Sequence, residues 1–141
     1  MTCMEKDSED FIVEKDGSLF YMIKRRMKEK EEALRPRFTS FVQKDLPSCD
    51  REQYSKLVDG SCIRTSTFLV FNSGLHPVVC QLEMSPDGTS WESFGELEIT
   101  IYPGQKQVIA PQFFLRYVRI KFRNAKEGFE SQVTIWFQGQ D

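Results

Sequence analysis

The chain has 141 residues, enough for a main domain whose own core needs no metal or disulfide staple. A net charge of −2 leaves no basic footprint for nucleic acid or an anionic membrane. No run of residues is apolar and long enough to cross a bilayer. The acidic start MTCMEKDSEDF has no apolar signal-peptide core, so cytoplasmic residence is the default expectation. A spore surface or other assembled structure reached without a leader fits the same observation.

Residues 1–10 read as an acidic tail. Beyond them two readings compete. Residues 11–13 and 19–23 flank Asp16-Gly17 as hairpin strands would. Leu19, Ile23 and Met27 also fall at helical spacing, and Arg25–Glu29 and Lys28–Glu32 are i,i+4 pairs. A hairpin to about Lys24, then a short charged helix or loop over residues 26–34, accommodates both; Pro36 ends any helix. The basic run at residues 24–28 is followed at once by Glu29, Glu31 and Glu32, so it reads as a solvated mixed-charge face. The expected division is residues 1–36 as tail and hairpin or charged helix, and residues 37–141 as a β-domain.

Residues 38–42 suit a strand with Phe38 and either Phe41 or Val42 inward. A polar connector follows over residues 44–61, with Tyr54 and Leu57 as candidate anchors. Residues 67–71 are nearly all apolar, as in a central strand, and Asn72-Ser73-Gly74 turns the chain. Val78, Cys80, Leu82 and Met84 alternate inward, against Val79, Gln81 and Glu83 outward. Ser85-Pro86-Asp87-Gly88 is a turn in which Pro presets φ and Gly takes φ > 0. A short strand carries Trp91 and Phe94. Leu97, Ile99 and Ile101 alternate up to Pro103-Gly104, and residues 107–110 form another short strand. Residues 111–114 are expected to plug one end with aromatics. Val118, Ile120 and Phe122, then Val133, Ile135 and Phe137, complete the inward sets. Such period-2 patterns fix register, because a one-residue slip exposes the whole apolar set. The fold expected is an all-β antiparallel sandwich of jelly-roll or immunoglobulin-like architecture. It should have about 7–8 strands and a short N-terminal hairpin or charged helix.

Chemistry-bearing patterns are sparse. The one histidine, His76, lies in a turn with no nucleophile–base arrangement around it. Glu92, Glu96 and Glu98 read as strand carboxylates rather than a glycosidase pair. Asp87 alone makes a poor calcium site, and no glycine-rich phosphate loop occurs. No cofactor, catalytic residue or metal ligand is therefore assigned. Cys80 has the parity of a buried thiol. Cys3, Cys49 and Cys62 are candidate cross-links, either between subunits or, for Cys49 and Cys62, within the chain. Trp91, Trp136, Tyr102 and Tyr117 are candidate surface aromatics. Trp136 is out of parity with its inward neighbours, and with Tyr117 and Arg119 it would make an interaction patch.

One ordered series carries a resemblance: Phe71-Asn72-Ser73-Gly74, Pro77, Gln81-Leu82-Glu83, Ser85-Pro86-Asp87-Gly88, Trp91, Pro103-Gly104, Val108, Pro111, Phe114-Leu115-Arg116-Tyr117, Arg119 and Trp136-Phe137-Gln138. Over about residues 64–140 the chain resembles the bacterial family of domain of unknown function 6385, found mostly in spore-forming Gram-positive bacteria. The resemblance implies a β-sandwich module and no activity or site residues. A looser similarity is to spore-appendage and coat-type sandwich subunits, which also carry a Cys-bearing N-terminal arm. The expected function is a non-catalytic interaction or structural module of a bacterial surface, spore or phage-like assembly. Its partner would be protein, including a second copy, and neither nucleic acid nor a membrane span is expected. The alternative is a carbohydrate- or small-ligand-binding module using Trp91 and the turn from Ser85 to Gly88.

Overall fold

A computed structural model describes residues 22–27 and 37–141. The chain divides into two compact units, Met1–Arg37 and Phe38–Asp141. In the first, residues 22–27 are helical, with Met22 and Ile23 half-buried and Lys24 and Arg25 exposed. That amphipathic turn replaces the hairpin strand expected to run to Lys24. The remaining hairpin-or-helix question, the acidic tail and Cys3 lie outside the described residues.

The second unit is a two-sheet antiparallel sandwich. Its strands are β1 (Phe38–Pro47), β2 (Gln53–Tyr54), β3 (Val58–Asp59), β4 (Thr65–Asn72), β5 (Val78–Ser85), β6 (Ile99–Ile101), β7 (Lys106–Ile109), β8 (Tyr117–Asn124) and β9 (Gln132–Gln140). One sheet runs β1-β9-β4-β7; the other runs β2-β8-β5-β6, with β3 also on β8. The alternating apolar residues explain the layering. Phe68 and Val70 of β4 and Val133, Ile135 and Phe137 of β9 are fully buried. Val78, Cys80, Leu82 and Met84 of β5 and Val118, Ile120 and Phe122 of β8 are buried with them in one core. Each such side chain stabilises by roughly 1.5–3 kcal/mol when removed from water. Burial also pushes the Cys80 thiol up to about 12, so it stays protonated and packs as an apolar group.

Two polar hubs tie loops to strands. Asn72, fully buried, donates through Nδ2 to the carbonyls of His76 (2.8 Å) and Ile101 (2.9 Å). Its Oδ1 accepts from the Gly74 N–H (3.0 Å) and the Ser131 hydroxyl (2.8 Å). Asn124 accepts from the Ser48 hydroxyl and donates to Asp50 at 2.8 Å. Full satisfaction is what makes a buried amide tolerable.

Several expectations are corrected. Phe38 is 64% exposed; it shares parity with Val42 on the solvent side, and Phe41 is the inward residue, stacked 5.3 Å from Phe137. The polar connector is partly strand. β1 continues to Pro47 through a bulge in which three steps on β1, Gln43 to Leu46, match two on β9. Asp45 takes φ 51° there, its N–H donating to Thr134 Oγ1, and the shift turns Leu46 back to the core. Tyr54 and Leu57 are each 44% exposed; the connector is anchored instead by Val58, Ser48 and Ser55. Trp91 and Phe94 form no strand, only a bridge at Met84–Glu92, and Leu97 is 76% exposed. Phe113 and Phe114 plug nothing: both are exposed, and a cleft opens beside them.

Candidate functional site

Strand parity and register assemble a surface that the sequence pattern shows only in pieces. On the outer face of the β1-β9-β4-β7 sheet, Val42 stands opposite Trp136, Trp136 opposite Leu69, and Leu69 opposite Val108. Four apolar side chains thus form one row across all four strands, about 14 Å wide at ordinary strand spacing. Trp136 and Leu69 are half-buried by their neighbours, while Val42 and Val108 are exposed, Val108 by 60%. Phe71 extends the row along β4, with the Lys106 ammonium 5.7 Å from its ring centroid. Phe38 lies on the same face toward the other end of β1.

The outer face of the second sheet is different. Tyr117 and Arg119 sit on β8, in the opposite sheet from Trp136, so the expected patch of Trp136, Tyr117 and Arg119 does not form. Arg119 is instead clamped. Its guanidinium lies 3.8 Å from the centroid of Tyr54 and 3.9 Å from that of Trp91. Its Nε donates to Glu83 Oε1 at 2.9 Å, and Lys121 Nζ stands 3.6 Å from Glu83 Oε2. Glu83 points outward as expected, yet these cations leave it buried. Tyr117 is met by the Arg116 guanidinium at 5.1 Å. Arg116 in turn pairs with Asp59 and, with the Ser61 N–H, holds that carboxyl down at about 2. Tyr54 and Glu83 were not foreseen as members of this cluster. Their outward parity was visible, but no local signal joins residues 54, 83, 91 and 119.

At the turn after β5, Asp87 Oδ1 accepts the N–H groups of Thr89 (2.9 Å) and Ser90 (2.8 Å) and the Ser85 hydroxyl (3.0 Å). These bonds hold its carboxyl far below the usual range, the two backbone donors contributing most. Gly88 supplies φ 83°, closing the turn as its sequence dictates. The loop's carboxylate is thus engaged by the loop itself. Glu96 accepts from the Gln112 N–H, and Glu98 lies 3.5 Å from Arg123. His76 packs edge-on against Phe129, their centroids 5.0 Å apart. Among the described residues no cluster of three or more His, Cys, Asp or Glu is placed to hold a metal. Cys49 carries a free thiol, so no Cys49–Cys62 bridge exists; Cys62 is disulfide-bonded.

A two-sheet antiparallel sandwich with an apolar row on the solvent side of one sheet defines the class, a β-sandwich module. The particular family is that of domain of unknown function DUF6385, whose family model matches residues 59–141, and the chain belongs to it. Among curated proteins none matches the sequence. Among solved structures, the crystal structure of PBSX exported protein XepA is similar at TM-score 0.54 and 12% identity, covering 72% of this chain and 36% of that one. This chain therefore spans about a third of XepA's length. At this identity the likeness speaks for the fold. A structure from disulfide-linked pili of Bacillus endospore appendages aligns at TM-score 0.47 and 8% identity, over 74% of this chain and 89% of that one. PirA aligns at TM-score 0.38 and 10% identity, over 74% and 91%.

Proposed function

We propose that the chain is a non-catalytic interaction module that associates with protein, including further copies of itself, through the outer face of the β1-β9-β4-β7 sheet. The observation behind this reading is the apolar row Val42, Trp136, Leu69 and Val108. A contiguous apolar stripe on a sheet face costs solubility unless something covers it, and interface cores are enriched in aromatics. The setting we favour is a bacterial surface, spore or phage-like assembly, in keeping with the spore-former distribution the sequence resemblance implies. XepA's description as exported agrees with a place outside the cytoplasm, and the comparisons lend cytoplasmic residence no support. No helix among the described residues is long and apolar enough to cross a membrane.

The carbohydrate reading is the weaker one, because Arg119 lies over one face of its Trp91 platform at 3.9 Å. Light scattering coupled to size-exclusion chromatography, across protein concentrations and with or without reductant, tests the association. A concentration-dependent oligomer supports the proposal, and reductant sensitivity would add cysteine cross-linking to it. A strict monomer under all conditions overturns self-association and directs attention to a glycan array.

A further inference from the structure

A cleft of about 320 Å³ opens at one end of the sandwich, between β4 on one sheet and β3 and β8 on the other. Val58, Ile63, Leu115 and Val118 give it an apolar floor, with Phe114 exposed at its rim. Its polar wall is a length of β4 that has lost its neighbour. Asn72 N–H donates to Gln105 O toward β7, and Ser73 N–H donates to Gln132 O toward β9. Even-numbered residues of β4 therefore present their backbone groups to the β7 side, since the ladder runs without a shift from Thr65 to Asn72.

The β7 ladder covers only Phe68 to Phe71. Continued by two residues, its register would set Ser66 against Pro111, which has no N–H to give. The Ser66 N–H and C=O thus face the cleft, with no strand partner among the described residues. A donor and acceptor spaced as in a strand, beside an apolar floor, match one class of ligand: an extended polypeptide backbone.

We infer that the cleft takes an extended segment of a partner polypeptide. The segment adds to β4 at Ser66 as a short strand and seats an apolar side chain against Ile63, Leu115 and Val118. About three residues at 3.3 Å each would span the free stretch from Thr65 to Thr67. Arg64, exposed on the cleft wall, suits a segment that carries a carboxylate. This surface is separate from the apolar row, so the inference does not depend on the proposal above.

The test is an array of ten-residue peptides, Val, Leu or Phe alternating with Thr, Ser or Glu, probed with the full chain. Binders are expected, and Ser66→Pro should lower their affinity by about tenfold, the equivalent of one lost hydrogen bond. Proline there removes the cleft-facing donor and no rung of the β9 ladder, so melting temperature and circular dichroism should stay near wild type. If Ser66→Pro misfolds, N-methylating alternate amides of a bound peptide on the unmodified chain gives the same readout. Only the register that pairs with Ser66 should lose binding, by about tenfold. An array without binders overturns the inference. So does binding that ignores both Ser66→Pro and N-methylation, which would mark the cleft as a pocket for small apolar ligands.

Discussion

Replacing Arg119 by alanine removes three interactions at once. The guanidinium lies 3.8 and 3.9 Å from two ring centroids and donates to Glu83 at 2.9 Å, and its side chain is only 18% exposed. Each cation–π contact contributes about 0.5–1 kcal/mol at a partly wet site. The charge-assisted hydrogen bond adds about 1.5–3 kcal/mol. Glu83, with a 9% exposed side chain, would keep only Lys121 at 3.6 Å, so part of its desolvation would go uncompensated. The expected loss is about 3 kcal/mol, which for a domain of this size lowers Tm by on the order of 10–15 °C. Urea unfolding followed by circular dichroism measures it. Combining Arg119→Ala with Glu83→Gln should show a coupling of about 1.5–3 kcal/mol. A change below about 0.5 kcal/mol, the size of an ordinary surface substitution, would refute the reasoning. Arg119 and Trp91 would then be free for a ligand, and the sugar-binding reading would gain strength.

Gly74→Ala should destabilise by about 1–3 kcal/mol, the usual cost of overpacking. A Cβ there would overlap the Ser131 hydroxyl and the Gln132 backbone nitrogen, and thermal melting reads the loss. Acid should weaken the fold in a defined window. The Asp59 carboxyl is lowered from 3.8 to about 2, chiefly by the Arg116 hydrogen bond, and Asp50 and Asp87 are lowered as well. Groups with depressed folded values stabilise above their unfolded values and lose that contribution as pH falls through the folded ones. Tm should therefore hold from neutral pH to about 5 and fall between about 4 and 2. Asp59→Asn should make that fall shallower across the whole interval, and an unchanged profile would contradict the Arg116–Asp59 assignment. Asn72→Ala should cost about 3–4 kcal/mol in urea unfolding, at about 1 kcal/mol for each of four hydrogen bonds.

The inward sets of β5, β8 and β9 were legible because period-2 alternation with one buried face leaves a single workable register. Face, however, is not sheet. Alternation put Trp136, Tyr117 and Arg119 all outward, but the non-local order β1-β9-β4-β7 sends Trp136 to the opposite sheet from the other two. The apolar row was illegible for the same reason: Val42, Leu69, Val108 and Trp136 meet only through three separate registers. The bulge around Asp45 left no compositional mark, because Lys44-Asp45 reads as the start of a polar connector whether or not β1 continues. Phe38 misled because a phenylalanine suggests core, whereas its parity with Val42 decides its face. Glu83 reads as a surface carboxylate until Arg119 and Lys121 are brought over it from β8.

Whether the apolar row is an interface is decided by sedimentation velocity of wild type and Trp136→Ala over the same concentration range. The wild type should form a concentration-dependent oligomer. The variant should keep its Tm within a few degrees and shift toward monomer, because a half-buried outer-face Trp contributes more to docking than to the core. Equal association by both proteins would contradict an interface at the row, as would a variant that unfolds and so shows Trp136 to be core.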